Sequence, residues 1–262
     1  MSFSLIIIGD EILHGSRQDK HFAFFKQLLK ERGLLLDSVQ YLPDNRQILV
    51  HRLRQSFAES LPTFVTGGIG STPDDHTRQA AAEALGLSLI LHPQAAANIE
   101  TVSLKHGNSL DSHGHQIRLR MAEFPQGSGL IPNPYNSIAG FSIREHYFLP
   151  GFPVMAQPMA AWVLDEYYAH LQHQTERRSV SAWIDLPESR ISALMADIEQ
   201  HYPGIRSFSL PATPTTQQRY CLLFGLKAEG EACSRLDAAW QTAEASLKKQ
   251  GATQIELAPE DV

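Results

Sequence analysis

The chain has 262 residues, 43% of them hydrophobic and 19% charged, which is typical of a folded globular protein and argues against a disordered or fibrous chain. This length suits one large domain followed by one small domain. The formal net charge of -6 disfavours nucleic acid as a partner, because binding to phosphates needs a basic surface.

The N-terminal apolar run Ser4–Ile8 is too short to cross a membrane and lacks the basic flank and cleavage site of a signal peptide. We therefore expect a cytoplasmic protein with no membrane partner. The two cysteines, Cys221 and Cys233, do not have the CxxC spacing of a metal or redox site, and we expect both to be buried structural thiols.

Apolar strand-like runs alternate with segments of helical periodicity along the first third of the chain. The predicted strands are Ser4–Ile8, Leu34–Leu42, Thr63–Thr66 and Leu87–Leu91, and the predicted helices are Asp19–Glu31, Arg46–Glu59 and an Ala-rich segment that ends at Gly86. Alternation of this kind predicts an α/β fold in which helices cover a mostly parallel sheet.

The middle of the chain is less regular. Ala95–Glu123 has a helical pattern that the polar stretch His106–His115 interrupts, and we expect a loop there. Gly140–Leu149 alternates as one strand does, and Val154–Leu171 carries a long helical pattern whose apolar face we expect to pack in the core.

A polar, charged run follows this helix, and we place a domain boundary near Thr175, giving a domain of residues 1–174 and a small α+β domain of residues 175–262. The predicted elements of the small domain are strands Ser179–Asp185, Ile205–Leu210 and Arg219–Lys227 and helices Glu188–Tyr202 and Gly230–Lys249. The last dozen residues are expected to be a loosely ordered tail.

The segment Thr66–Asp75 reads TGGIGSTPDD and lies between a buried strand and a helix, at the edge of the sheet where such folds bind ligands. Its three glycines let a phosphate approach backbone amides, and the helix that follows favours an anion. The alternative is a helix cap, in which Thr72 is the N-cap and Asp75 closes a capping box. A cap does not explain the second carboxylate, Asp74, and we favour a functional loop.

Two adjacent carboxylates beside a phosphate would repel it unless a cation lies between them. Mg²⁺ commonly binds one or two carboxylates together with phosphate oxygens. The sequence therefore predicts a divalent metal held by Asp74 and Asp75, with Asp75 as the main ligand or general base.

Two runs of motif residues, GDEILHG at 9–15 and TGGIGSTPDDHT at 66–77, resemble the molybdopterin-binding domain family (MoCF, MoaB/MogA-like) and specifically the competence/damage-inducible CinA family. Ile131–Pro134 and the run LPGFP at 149–153, with Met159, are similar to later motifs of the CinA family. The resemblance covers about residues 4 to 170, and the small domain is similar in pattern to the family's second domain.

The resemblance implies a three-layer α/β/α sandwich, usually a homo-oligomer, that binds a nucleotide or pterin small molecule. In CinA-type proteins it implies a metal-dependent pyrophosphatase acting on ADP-ribose, and in the molybdenum-cofactor branch pterin binding or adenylyl transfer. It does not imply deamidation of nicotinamide mononucleotide, because the chain ends without the amidohydrolase domain that many CinA proteins carry.

The resemblance also assigns roles to residues of this chain. The phosphate or ligand contacts are Thr66, Gly67, Gly68, Gly70, Ser71 and Thr72, the acids are Asp74 and Asp75, and further ligand contacts are Glu11, Asp44, Asn133 and Pro134. Three positions depart from the family pattern: Met155 and Gln157 replace Glu and Lys, and His21 replaces Asn. These departures keep a third hypothesis open, a noncatalytic nucleotide sensor.

Several of these residues also have a purely structural interpretation. Glu11 could be a solvated loop residue, and Asp44 a turn former. Asn133 and Tyr135 stand between prolines, where a rigid corner could clamp a ring of a ligand. The histidines of the polar stretch, His106, His113 and His115, lack a four-ligand metal pattern, and we expect them at the surface.

Overall fold

The structure is a computed structural model, and it describes residues 1–172, 176–211 and 222–259. The chain divides into two compact units, Met1–Gln172 and His173–Val262. The boundary expected near Thr175 lies outside the described residues. Each unit is described by itself below.

The first unit is built around a twisted, mostly parallel sheet, which confirms the predicted fold class. Its strands in chain order are β1 (Ser2–Ile8), β2 (Leu35–Leu42), β3 (Thr63–Thr66), β4 (Leu89–Leu91), β5 (Glu123–Pro125), β6 (Gly129–Ile131), β7 (Gly140–Ile143) and β8 (His146–Leu149). The order in the main sheet is β2-β1-β3-β8-β7-β6. The first four strands of this order are parallel, and β7 runs antiparallel to both of its neighbours.

Helices cover both faces of this sheet. They are α1 (Asp10–Leu13), α2 (His21–Glu31), α3 (Arg46–Ala58), α4 (Thr77–Leu85), α5 (Pro93–Lys105), α6 (His113–Leu119) and α7 (Pro153–Tyr167). Successive residues of β1 point to opposite faces. Ile6 packs in a core with Leu53 of α3, whereas Ile7 packs in a second core with Phe25 of α2 and Val163 of α7. The sheet therefore has a hydrophobic core on each face, and a layer of helices, the sheet and a second layer of helices form the three layers of the unit.

Two predictions for this unit differ from the structure. Gly140–Leu149 is a hairpin of β7 and β8, because Arg144 and Glu145 turn the chain with positive φ angles. The strand predicted at Leu87–Leu91 is shorter and pairs with β5 in a separate two-stranded sheet. The turn between β7 and β8 was missed because two residues at Arg144 and Glu145 interrupt the apolar pattern only briefly.

The structure also decides between the two interpretations of the segment Thr72–Asp75. Helix α4 begins at Thr77, with His76 as its N-cap, and not near Thr72. The capping-box alternative, in which Thr72 is the N-cap, therefore does not apply to this helix. Residues 67–76 instead form an extended loop at the edge of the sheet.

The second unit pairs an antiparallel sheet with two helices. Its elements are β9 (Arg177–Ile184), α8 (Glu188–His201), β10 (Ile205–Pro211), β11 (Leu222–Glu229), α9 (Leu236–Lys249) and β12 (Ile255–Leu257). The strand order is β10-β11-β9-β12. Residues Gly230–Arg235, predicted as helix, form a 3₁₀ turn before α9.

The C-terminal segment is more ordered than predicted. β12 pairs with β9, so Ile255–Leu257 belong to the sheet and not to a loose tail. Cys233 is buried, as predicted, whereas Cys221 and the start of the strand predicted at Arg219 lie outside the described residues. In the described ranges we find no helix that is both long and apolar enough to cross a membrane.

Candidate functional site

The carboxyl ends of four parallel strands meet at one edge of the main sheet. The Gly9 N–H, after β1, donates to the Leu42 carbonyl of β2 at 3.1 Å. The Gly67 N–H, after β3, donates to the Leu149 carbonyl of β8 at 3.0 Å. The loops that follow these strands therefore lie side by side, as expected of a ligand site in an open α/β sheet.

Two glycines are required by the packing of the loop after β3. Gly67 has a φ of +101°, and a Cβ there would overlap the Ile8 carbonyl oxygen. Gly68 has a φ of +65°, and a Cβ there would overlap the Thr77 hydroxyl. That hydroxyl donates to the Gly67 carbonyl at 2.9 Å, and the Thr77 N–H donates to the Gly68 carbonyl at 3.0 Å. The first turn of α4 thus fixes the path of the loop.

Asp75 holds the tip of this loop. Its Oδ2 accepts hydrogen bonds from the Thr72 N–H at 2.8 Å and from the Thr72 hydroxyl at 2.5 Å. The same oxygen lies where a side chain at Gly70 would point. One oxygen of the predicted metal ligand is therefore already used inside the loop.

Arg78 ties the loop to the rest of the unit from behind. It is 2% exposed, and its guanidinium donates to the Gly70 carbonyl at 2.6 Å and to the Arg120 carbonyl. Burial lowers the pKa of Arg78, while the carboxylates of Glu123 and Asp75 raise it. A charged side chain this deeply buried indicates that the position of Gly70 is tightly held.

A cluster of carboxylates lies on the other side of the loop, after β1 and β2. The Asp10 N–H donates to Asp44 Oδ2 at 2.9 Å, and the Asp44 N–H donates to Asp10 Oδ1 at 3.4 Å. Asp44 Oδ1 lies beside Gly68, 3.6 Å from the position that a Cβ there would take. Asp44 therefore faces the glycine loop directly.

The surroundings of Asp44 raise its pKa above the usual value of an aspartate. Partial burial raises the pKa of Asp44, and the Asp10 N–H opposes this rise. Further increases come from nearby carboxylates, those of Asp10, Glu11 and Asp74. Like charges raise a carboxyl pKa in this way when no cation separates them.

The two adjacent acids of the loop have different surroundings. Asp74 is exposed, the nearby Thr72 side chain is the main cause that lowers its pKa, and its charge acts on Asp44. Asp75 acts instead on Arg78. The carboxylates around Asp44 thus include Asp74 and also Asp10. Asp10 belongs to the GDEILHG run and follows β1 after one glycine, but the sequence had suggested no role for it.

The carboxylate oxygens of this cluster could supply some, but not all, of the ligands of a divalent cation. Carboxylate oxygens are the ligands that Mg²⁺ prefers, and one or two of them suffice when phosphate and water supply the others. Among the described residues, however, no three His, Cys, Asp or Glu side chains are grouped closely enough to hold a metal alone. The arrangement fits a cation that arrives with a phosphate ligand.

The remaining predicted contacts occupy varied positions. The Thr66 hydroxyl is buried at the end of β3 and has no hydrogen-bond partner among the described residues. Glu11 is exposed and lies 3.7 Å from Arg17. Asn133 is buried, accepts from the Tyr135 N–H and donates to the Ile138 carbonyl, so it shapes the loop around Pro134. Ser71 is partly exposed next to Thr72.

Residues that the sequence analysis did not assign to the site also approach the glycine loop. Gly151, after β8, packs against Gly67, and its carbonyl lies 3.0 Å from His21 Nε2. The next residue, Phe152, is 52% exposed, and the Arg17 guanidinium lies 5.4 Å from its ring centre. An exposed aromatic ring near the glycine loop could stack on a flat heterocyclic ring of a ligand.

The three positions that depart from the family pattern have different surroundings. His21 is 3% exposed, burial lowers its pKa, and its Nδ1 has no partner among the described residues. Met155 Sδ accepts a hydrogen bond from the Asn136 side chain at 3.6 Å. Gln157 is partly exposed.

The histidines expected at the surface are not all there. His106 and His113 are exposed, but His115 is 2% exposed and its Nδ1 lies 3.0 Å from the Ser103 hydroxyl. The prediction was wrong for His115 because α6 begins at His113 and turns this side chain towards α5.

Comparison with known proteins gives the chain a family context. The sequence model described as "Probable molybdopterin binding domain" matches residues 4–170. A CinA-like protein of Geobacter sp. (strain M21) is 34% identical over 163 residues, which cover 61% of this chain and 38% of that protein. A CinA-like protein of Citrifermentans bemidjiense is 28% identical over 229 residues, which cover 86% of this chain and 51% of that protein.

Among solved structures, a crystal structure described as the protein CinA with unknown function, from Thermoplasma acidophilum, matches with a TM-score of 0.55 and 25% identity. The match covers 63% of this chain and 96% of that chain. This chain spans about half or less of the two curated relatives.

Proposed function

The chain belongs to the family of molybdopterin-binding domains and is related to CinA-like proteins, and on that premise we propose that its sheet edge binds a phosphate-bearing nucleotide or pterin and hydrolyses a phosphate anhydride. ADP-ribose or a related dinucleotide is the proposed substrate. The observation that carries the proposal is the position of Asp44 Oδ1, which lies 3.6 Å from the place that a Cβ at Gly68 would take, so that a carboxylate stands beside the glycine loop.

Binding of the phosphates follows from the loop geometry. Glycine backbone leaves the N–H groups of residues 68–71 open to close approach, whereas the Gly67 N–H already donates to the Leu149 carbonyl and the Thr72 N–H to Asp75. The loop leads into the N-terminus of α4. The unpartnered Thr66 hydroxyl at the end of β3 adds a buried polar group that a ligand oxygen would satisfy. Asp75 and Arg78 keep the loop in place through Thr72 and Gly70.

Hydrolysis of the anhydride would need a base and a way to neutralise the carboxylates. A divalent cation, when bound with the phosphates, neutralises charge and increases the acidity of water. Asp44 has a raised pKa and is placed to accept the proton of the attacking water. Cleavage of the P–O–P bridge would then give two phosphate monoesters.

The flat ring of the ligand has a proposed place as well. Phe152 stands next to Gly151, which packs on Gly67, so a ring stacked on Phe152 stays within reach of phosphates at the loop. The Arg17 guanidinium now covers the Phe152 ring, so it would either move aside when the ligand binds or stack on the other face of the ligand ring. Adenine and pterin rings both fit such a contact.

A test measures AMP release from ADP-ribose with Mg²⁺, Mn²⁺ or Co²⁺ in wild type, Asp44→Asn and the control Asp37→Asn. Asp37 is an exposed carboxylate on β2, outside the carboxylates that surround Asp44. Metal-dependent release that is lost only in Asp44→Asn supports the hydrolase. Release unchanged in Asp44→Asn would refute the role of this residue.

Two further hypotheses use the same site without hydrolysis. Family membership supports a pterin-binding or adenylyl-transferring protein of molybdenum cofactor synthesis, which would bind pterin pyrophosphates without cleaving dinucleotides. Met155 and Gln157, which replace an acid and a base, support a noncatalytic nucleotide sensor. Tight ligand binding without product under every metal would favour the sensor.

A further inference from the structure

His21 is the first residue of α2, and its buried ring reaches the backbone that follows β8. The Nε2 atom of the ring lies 3.0 Å from the Gly151 carbonyl oxygen. A carbonyl oxygen can only accept, so Nε2 carries a proton and donates this hydrogen bond. His21 therefore joins the start of α2 to the loop before α7, across a sequence separation of 130 residues.

The residues at the start of α2 hold the His21 ring in a fixed position. Asp19 Oδ1 accepts a hydrogen bond from the His21 N–H at 2.7 Å. Asp19 Oδ2 accepts from the Phe22 N–H at 3.1 Å and from the hydroxyl of Tyr41, on β2, at 2.8 Å. The helix is thus attached to β2 beside the residue that carries the ring. The Nε2 donor is presented to Gly151 from an anchored backbone.

The other ring nitrogen indicates that packing alone does not account for a histidine at this position. Nδ1 is buried, and no described residue gives it a hydrogen-bond partner. Burial lowers the pKa of His21, which favours the neutral ring and leaves Nδ1 as an acceptor without a proton. A buried acceptor without a partner is destabilising. An apolar side chain would fill the position without this penalty, but it would lack the Nε2 donor.

Gly151 passes the position of this hydrogen bond on to the ligand site. A Cβ at Gly151 would lie 3.3 Å from the Gly67 Cα, so the two backbones are in contact. Gly67 begins the loop that is proposed to bind phosphates, and Phe152, which follows Gly151, is proposed to stack on the ring of the ligand. A shift of the Gly151 carbonyl would therefore displace both contacts.

Asp44 is held by other bonds. It lies beside Gly68 and accepts a hydrogen bond from the Asp10 N–H. Loss of the bond between His21 and Gly151 should therefore weaken binding of the ligand more than it slows transfer of a proton to Asp44.

We infer that His21 is a positioning residue of the ligand site, whose Nε2–H holds the Gly151 carbonyl and thereby sets the places of Phe152 and Gly67. The effect of His21 on the ligand rests on the proposed function. Its effect on the loop does not, because the bond exists whether or not the protein cleaves an anhydride.

Three substitutions separate the hydrogen bond from the bulk of the ring. His21→Gln keeps an N–H donor at about the reach of the imidazole Nε2, whereas His21→Phe and His21→Leu fill the space without a donor. The matched control is His51→Phe, which changes an exposed histidine on α3. Circular dichroism and urea unfolding establish that each variant is folded.

The first readout needs no ligand. The Gly67 N–H donates to the Leu149 carbonyl at 3.0 Å, and the Met155 N–H donates to the Phe152 carbonyl at 2.9 Å. Exchange of these two amide hydrogens, followed by NMR, reports whether the loops on either side of Gly151 stay closed. We expect exchange about tenfold faster at both amides in His21→Phe and His21→Leu, and wild-type rates in His21→Gln and His51→Phe.

The second readout is the turnover of ADP-ribose with Mg²⁺. We expect KM to rise about tenfold in His21→Phe and His21→Leu while kcat changes less than about threefold, because the contacts of Asp44 are kept. His21→Gln should restore KM. A loss of kcat with unchanged KM would overturn the inference.

The exchange data distinguish failure of this inference from failure of the proposed function. Unchanged exchange in His21→Phe and His21→Leu, or equal increases in these variants and in His21→Gln, overturns the inference. If both apolar variants unfold while His21→Gln folds, the bond serves the whole unit and the inference is again overturned. If exchange changes as expected but wild type neither binds nor cleaves ADP-ribose, the proposed function fails and the positioning of the loop by His21 is supported.

Discussion

Asp10 and Asp44 exchange hydrogen bonds from backbone N–H to side-chain carboxylate across the ends of β1 and β2, although 34 residues separate them. This exchange fixes the Asp44 side chain beside Gly68. Burial raises the Asp44 pKa, the hydrogen bond from the Asp10 N–H lowers it, and the Asp10 carboxylate charge makes a smaller upward contribution. The relationship places a carboxylate of raised pKa at the glycine loop.

The first prediction compares the two acids that could act as the base. Asp44→Asn should lower turnover of ADP-ribose at least about 100-fold, because loss of a general base commonly costs that much. From the sequence alone, Asp75→Asn is expected to abolish turnover. The asparagine keeps one oxygen that can accept the hydrogen bond from Thr72, so this variant tests whether the second carboxylate oxygen of Asp75 is needed. Initial rates and circular dichroism are measured for both.

If Asp75→Asn alone loses activity, Asp75 is the key acid, as the sequence analysis expects. Loss in Asp44→Asn alone assigns the base to Asp44. Loss in both variants, with native circular dichroism, means that the two sides of the loop act together. Full activity in both would contradict the proposed hydrolase site.

The second prediction concerns the loop backbone. Gly67→Ala should lower the free energy of unfolding by about 2–5 kcal/mol, because it adds a left-handed φ strain of about 1–2 kcal/mol to an overlap with the Ile8 carbonyl. Urea unfolding measures the difference. The control is Gly107→Ala, where φ is +71° but the space is open, so only the φ strain should appear. Equal losses in both variants would show that the Ile8 contact is unimportant.

The third prediction concerns the ring contact. Phe152→Ala should weaken binding of ADP-ribose about tenfold, since an aromatic stack contributes about 0.5–1.5 kcal/mol beyond area burial. Phe152→Trp keeps a flat ring and should restore binding. Affinity is measured by calorimetry in Asp44→Asn, which prevents turnover. Unchanged affinity in Phe152→Ala would place the ring of the ligand elsewhere.

The fourth prediction is a dependence of stability on pH. His146 is 1% exposed, its Nδ1 lies 2.9 Å from the Arg144 carbonyl, and its Nε2 lies 2.7 Å from the Ser56 hydroxyl. A carbonyl can only accept, so Nδ1 donates and the neutral ring accepts from Ser56 at Nε2. Burial lowers the pKa of His146 from 6.5 to about 4.

Because the folded pKa of His146 lies below the unfolded value, the unfolded chain binds the proton first as the pH falls. Stability from this group is therefore complete above about pH 6.5 and is lost progressively between pH 6.5 and 4, by about 3 kcal/mol in total. Urea unfolding at pH 7, 5.5 and 4.5 measures the loss. His146→Gln, which cannot titrate, should have a flatter profile, and an equally steep profile in this variant would contradict the assignment.

Local patterns in the sequence were sufficient for much of the fold. Strands such as Thr63–Thr66 and helices such as Arg46–Ala58 were predicted closely, because a buried parallel strand is a continuous apolar run and Asn45 caps the helix through the Ile48 N–H. The glycine loop and its location at the sheet edge also followed from strand–turn–helix order. The pairing of strands could not be predicted from these patterns. The β7–β8 hairpin and the separate β4–β5 sheet depend on which strands meet in the folded chain.

By itself, the sequence determined the α/β class, the family, and the glycine loop with its acids, because these depend on residue types at short spacing. Only the tertiary structure decided that Asp44 and Asp10 face this loop, that Asp75 is bound to Thr72, and that Phe152 stands nearby. The physical reason is that parallel strands bring residues together that are far apart in the chain, and their side chains acquire partners and charge only there.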